Sequence, residues 1–270
     1  MKSIDAAGQN IRFLDELAAG TTVIHRIDPL VKLLTATLFV IIVASFPKYA
    51  VLPMLPLVFY PVVLIVLGNL PVGYLLKRVA AVAPFAVLVG ILNPVFDRTP
   101  LLQLGMWRVP GGWVSFCSIV LRFGLTVLAA LLVIATTGFP DLGAALTRLR
   151  LPRVLVQQIL FLYRYLFVLL EETGRTVRAY NLRSARRPGI AFRAWGSLLG
   201  QLILRTYDRA DRIYRAMLCR GYQGELRRPQ RSGTGFGDWA FLTGWTLLFL
   251  LARWYNIPQL LGNLFWAVGR

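Results

Sequence analysis

Residues able to do chemistry are few in this chain, and most lie outside its apolar runs. The one histidine is His25. A single imidazole cannot supply a multi-histidine metal site or a His–His relay, so His25 reads as a helix-start or interfacial residue or as a proton-handling group. Of the two cysteines, Cys117 sits in an apolar run and Cys219 in a basic segment, with no CxxC and no metal-ligand spacing around them. An ion-driven carrier needs carboxylates inside its spans. Here Asp28 just precedes the first apolar run and Asp97 just follows the third. The clear charge within a run is Arg122, which marks a functional pocket or snorkels to a lipid phosphate. The GxxxxGK[ST] phosphate loop, GxSxG and HExxH are all absent, so this reading expects no catalytic residue, no metal site and no cofactor.

The elements that must position these residues are apolar. Hydrophobic residues make up 57% of the 270-residue chain and charged residues 16%, with a mean hydropathy of +0.61. A soluble domain is nearer ~25% charged, so this much apolar surface calls for lipid as its solvent. Four runs are long enough to span: Leu30 to Phe46, Val51 to Leu67, Val79 to Phe96, and Val114 to Phe139, the last ended by Pro140. A fifth, Trp239 to Ala252, is short, but Trp239, Trp254 and Tyr255 extend it as an interfacial belt. Pro53, Pro56 and Pro61 predict a kinked or irregular second span, with neighbouring helices satisfying the freed carbonyls.

The net charge of +18 is concentrated between Pro140 and Gly237. The positive-inside rule accounts for it without nucleic acid, placing this stretch, the N-terminus and the Lys77-Arg78 loop in the cytoplasm. Two long helical patterns fill the basic stretch, from about Arg153 to Leu182 and from about Ile190 to Cys219. Pro188-Gly189 ends the first and Gly221 the second. Val154 to Leu170 is nearly long enough for a sixth span, but Gln157, Gln158 and Arg164 favour a helix in or under the interface.

The expected fold is therefore all-α: a polytopic helical membrane protein of about five transmembrane helices with long amphipathic cytoplasmic helices. Its division is 1–140 as a four-span membrane domain, 141–237 as the cytoplasmic domain, and 238–270 as the last span and tail. Three rival functions fit less well. A stand-alone carrier or channel lacks the intramembrane carboxylates. A lipid-modifying enzyme lacks a base or metal site. A membrane-anchored nucleic-acid binder lacks a separate basic domain, because the arginines alternate with apolar residues at helical spacing.

Three segments, in order, resemble one family. Val23-Ile24-His25-Arg26-Ile27-Asp28-Pro29-Leu30-Val31-Lys32-Leu33-Leu34 resembles the HxLDPxxKL motif that opens the first span of the T components of energy-coupling-factor (ECF) transporters. Tyr163 to Glu172 is similar to the CbiQ branch, which serves cobalt or nickel uptake. Arg215-Ala216-Met217-Leu218-Cys219-Arg220-Gly221-Tyr222-Gln223-Gly224 resembles AMxARGFxG, the end of that family's second coupling helix. The resemblance covers about residues 20–225. It implies a non-catalytic subunit between two ABC-type ATPase subunits and a substrate-binding membrane subunit (S or CbiM-like), in the lipid bilayer of the inner membrane. It also implies arginine-centred triplets at the ends of two coupling helices. Cys219-Arg220-Gly221 matches the second, with Cys where the family often has Ala. Leu182-Arg183-Ser184 is the choice for the first and Ala185-Arg186-Arg187 its competitor. His25, Asp28, Pro29 and Lys32 carry the family's opening motif. The substrate, cobalt, nickel or a vitamin, stays open.

Overall fold

The computed structural model describes residues 13–96, 100–104, 107–183, 192–223 and 234–254. It falls into two compact units, 1–16 with 139–232 and 17–138 with 233–270.

In the second of these units, Asp28 caps the first long helix by accepting a hydrogen bond from the Leu30 amide at 2.8 Å, and Pro29 follows at the first helical position. Proline is favoured there because its missing N–H would go unbonded in any case. A single turn, α1 (Val23–Arg26), precedes α2 (Pro29–Ser45). The proline-rich second run is a 3₁₀ segment, Leu52–Val58, continuing as α3 (Phe59–Gly68), so the expected irregularity is present. Asn69 ends α3 in the left-handed conformation at φ 49°. Then come α4 (Val72–Gly90), α5 (Leu92–Phe96), a hairpin of β1 (Pro100–Leu104) and β2 (Trp107–Pro110), and α6 (Gly111–Thr137). The last helix of this unit is α10 (Phe236–Trp254).

Two boundaries differ from the sequence reading. Lys77 and Arg78 lie in the first two turns of α4 rather than in a loop. Both are good helix formers, and at a membrane interface their charge need not stop a helix. The fourth run ends at Gly138, at φ 71°, while Pro140 is the second residue of the next helix. Between the third and fourth runs, residues 100–104 and 107–110 pair as an antiparallel hairpin within an otherwise helical fold.

Contacts fix the helix directions. Lys32 of α2 reaches Thr136 near the end of α6, and Arg122 of α6 reaches Phe46 beyond the end of α2, so these two helices are antiparallel. The Asp28 amide meets Asp238, and Arg253 meets Ser45, so α10 runs parallel to α2. Between α2, α3 and α10 lies an aromatic core. Phe39, Tyr60 and Phe249 are each almost fully buried, with ring centroids 4.7–5.3 Å apart, and Trp245 packs edge-on against Tyr60 at 4.9 Å. Such tilted and edge-to-face pairs stabilise beyond their buried area, by ~0.5–1.5 kcal/mol each. The outer faces stay apolar and exposed, as at Phe85 and Leu88 of α4, which suits contact with lipid.

The other unit contains α7 (Phe139–Arg148), α8 (Arg153–Arg183) and α9 (Phe192–Cys219). Phe139 stacks on Tyr163 at 4.1 Å, and the Tyr163 hydroxyl donates to the Asp15 carboxylate. Arg205 pairs with Glu172, and the Tyr222 hydroxyl meets Gln157 at 3.1 Å, so α8 and α9 form an antiparallel pair. By length and composition, α4 with its continuation, α6 and α8 can each cross a membrane, while α2 and the second run are shorter apolar helices.

Candidate functional site

The opening-motif residues converge at one end of α6. A helix C-terminus presents carbonyls without intrahelical partners and a partial negative charge. Lys32, buried, donates from Nζ to the Thr136 carbonyl at 2.8 Å and to the His25 carbonyl at 3.4 Å. The ammonium thus lies where the end of α6 is most negative. His25 is also buried. Its Nε2 donates to the Leu17 carbonyl at 2.9 Å, which leaves Nδ1 to accept from the Thr22 hydroxyl at 2.7 Å. Burial holds the His25 pKa below the ordinary imidazole value, and the Lys32 charge acts in the same direction. Hydrogen bonds to the Leu17 and Ala135 carbonyls oppose this. Asp28 adds the α2 cap, and its amide donates to Asp238 Oδ1 at 2.9 Å. Asp238 Oδ2 accepts from the Gly235 amide at 2.8 Å.

These residues therefore form a clasp joining α1, α2, α6 and α10. Every group is used in holding helix ends, an arrangement suited to rigidity. Arg122 performs the same service at the far end of α2, donating to the Phe46 carbonyl at 3.0 Å and the Pro47 carbonyl at 3.4 Å. Arg253 joins it, contacting Ser45 and lying over the Phe46 ring at 5.1 Å. Arg122 thus has a role the two sequence-based alternatives did not include: it caps a neighbouring helix.

The predicted triplets lie at the ends of α8 and α9. Leu182 is 86% exposed, and Arg183 is the exposed last residue of α8. Ser184, the competing Ala185-Arg186-Arg187 and Pro188-Gly189 lie outside the described residues. At the other end, Cys219 and Arg220 are exposed. Gly221 is left-handed at φ 79°; its amide donates to the Leu218 carbonyl and that of Tyr222 to the Met217 carbonyl, both at 3.0 Å. That pair of bonds is a Schellman motif, and glycine takes its left-handed position without a Cβ clash. Arg220 is the last residue before the turn, on a helix end whose direction is fixed.

The sequence of residues 20–231 matches the family described as CbiQ, cobalt transport protein. The chain belongs to this family. It is a T component of the ECF transporters, in the CbiQ branch, and a membrane subunit of a transporter. The ECF transporter transmembrane protein EcfT of Bacillus subtilis (strain 168) is 30% identical over 229 residues, 76% of this chain and 82% of its own. The cobalt transport protein CbiQ of Salmonella typhimurium (strain LT2) is 31% identical over 160 residues, covering 53% of this chain and 69% of its own. The nickel permease LarQ of Lactiplantibacillus plantarum is 29% identical over 158 residues, 56% of this chain and 58% of its own.

Within this T component, sequence reasoning missed the partners that complete each motif. Thr136 and Asp238 hold the opening motif, and Gln157 ties down the turn after Arg220. Each lies tens of residues or more from its partner, so no local spacing could have revealed it. Among the described residues, no group of three or more His, Cys, Asp or Glu side chains is placed to hold a metal ion.

Proposed function

We propose that this T component couples ATP hydrolysis on two ABC-type ATPase subunits to a substrate-binding membrane subunit, in the uptake of cobalt or nickel. Arg183 and Arg220 are the contacts with the ATPases, flanked by Leu182 and Ser184 in the first triplet and by Cys219 and Gly221 in the second. The observation that carries this reading is their placement. Each is an exposed arginine at the C-terminal end of a long helix, and the two helices are antiparallel, so the arginines point from opposite ends of the pair. At 1.5 Å per residue, about 25 helical residues between them give a separation of ~35–40 Å. That spacing suits one arginine for each of two partner subunits. An arginine at a helix C-terminus also stabilises its own helix and offers a forked donor to acidic groups in a partner's groove.

Residues 1–140 with 238–270 serve as the membrane portion and 141–237 as the coupling portion. The cytoplasmic side is the end holding Lys32, Gly68 and Thr136, with Lys77 and Arg78 just beyond, as the positive-inside rule favours. Cobalt or nickel is the cargo. The choice of metal rests on the names of the cobalt transport protein CbiQ and the nickel permease LarQ.

The test is co-purification of the partner ATPases with wild type, Arg220→Glu and Arg183→Glu, alongside cobalt and nickel uptake. Wild type should retain the ATPases. Arg220→Glu should lose them or uncouple hydrolysis from uptake, and Arg183→Glu should do likewise if it centres the first triplet. Wild type bringing down no ATPase, with uptake unchanged in both variants, would overturn the reading in favour of a stand-alone carrier.

A further inference from the structure

The antiparallel pair of α8 and α9 leaves a groove along one face, and its two halves differ in chemistry. Toward the Arg220 end, the floor is Phe161, Tyr165, Leu169, Ile213 and Met217, almost without polar surface. The adjoining half is bordered by Glu172, Arg205, Arg209 and Arg212. Glu172 is occupied by Arg205 at 3.4 Å. Arg209 and Arg212 are exposed, and neither has an ion-pair partner among the described residues. The arginine-rich half therefore carries positive charge beyond what its one carboxylate neutralises.

An apolar channel that opens onto two free guanidinium groups matches the layout of one molecule class: acyl chain, then phosphate. We infer that this groove binds an anionic phospholipid, its acyl chain on the Phe161–Met217 floor and its phosphate between Arg209 and Arg212. Charge complementarity decides the occupant. A zwitterionic lipid would fill the floor equally well but would leave the net positive charge uncompensated. Guanidinium forks bind phosphate oxygens bidentately, so arginine serves this purpose better than a point charge. Ile203 and Tyr207 of α9, outside the groove's lining, are 67% and 73% exposed, as apolar side chains of an interfacial helix are. The site goes beyond the coupling reading and does not depend on it, because Arg183 and Arg220 take no part.

The experiment is native mass spectrometry of the delipidated full chain, titrated with dioleoylphosphatidylglycerol or dioleoylphosphatidylcholine at equal concentration. Wild type should prefer phosphatidylglycerol by about ten-fold or more, since each basic side chain near an anionic headgroup contributes roughly a five-fold factor. Arg209→Gln with Arg212→Gln should lose that preference while keeping phosphatidylcholine binding, which shows that the variant is folded. The Lys pair at the same positions should retain much of it. Three results would overturn the inference: equal binding of both lipids by wild type, an unchanged preference in the double Gln variant, or displacement of phosphatidylglycerol by millimolar inorganic phosphate. The last would assign the arginines to a free anion. Equal binding of both lipids by wild type, together with binding of the purified substrate-binding subunit that the double Gln variant loses, would assign the groove to a protein partner.

Discussion

The left-handed turn after Arg220 gives the most direct test of how that arginine is held. Gly221 sits at φ 79°, and a Cβ built on it meets no atom within 4 Å. Gly221→Ala therefore adds no steric clash, and its whole cost is conformational. A left-handed L-residue costs roughly 1–2 kcal/mol. At about 1.4 kcal/mol per factor of ten, the open form of the turn should become ~5–30-fold more populated. The amides to watch are Gly221 and Tyr222, which bond to Leu218 and Met217. Hydrogen exchange of a peptide covering 217–222 should accelerate by that factor, while a peptide from the middle of α9 should not change. Gly221→Asn should accelerate exchange by only ~2–5-fold, because asparagine tolerates the left-handed region. If Arg220 works from this end, ATPase retention should fall in the order Gly, Asn, Ala. Equal exchange in wild type and the Ala variant, or an Asn variant as impaired as Ala, would refute the reasoning.

Replacing Lys32 by Met keeps the stem but removes the donor to two buried carbonyls, so stability in detergent should fall by about 1–3 kcal/mol; an unchanged Tm would sink the clasp. The folded pKa of His25 lies below its unfolded value near 6.5, so the unfolded chain binds the proton more readily. Its contribution is therefore full above about pH 6.5 and is lost as pH falls from there through the folded pKa. Wild-type Tm should drop more steeply than that of His25→Gln between pH 7.5 and 5, and parallel curves would contradict this. Gly90→Ala should separate α4 from α6, because the new Cβ would lie 2.9 Å from the Phe116 ring, which cannot fold away. About 1–3 kcal/mol of overpacking is expected, and a Tm equal to wild type would show that the helices do not approach so closely.

Features carried by short-range chemistry were legible in the sequence. The Asp28-Pro29 pair lies where a capped helix begins, Pro53 and Pro56 lie in the 3₁₀ start of the irregular second run, and Gly221 stops α9. Length and hydropathy found the apolar helices, because lipid demands closed backbone hydrogen bonding within each span. What stayed hidden depends on helices meeting. Arg122 could be recognised as a charge in an apolar run, but its acceptors Phe46 and Pro47 belong to another helix end. Lys32 could be placed in the opening motif, but its acceptor Thr136 is brought to it only by α6. The separate helix Phe139–Arg148 was missed because Pro140 reads as a stop, although proline is equally at home in the first turn of a new helix.

The aromatic core shared by α2, α3 and α10 has a consequence for how the protein is made. Phe39 and Tyr60 are finished only when Phe249 arrives, almost two hundred residues later in the chain. At about 5–20 residues per second, the ribosome takes roughly ten to forty seconds over that interval. During it the early spans are inserted, but their aromatic faces remain open to lipid, to translocon or to a chaperone. The arginine-tipped helices α8 and α9 emerge in the meantime, before the aromatic core can close. The core thus closes only with α10, and a nascent chain stalled before residue 236 would carry the exposed arginines of α8 and α9 while its aromatic core was still incomplete.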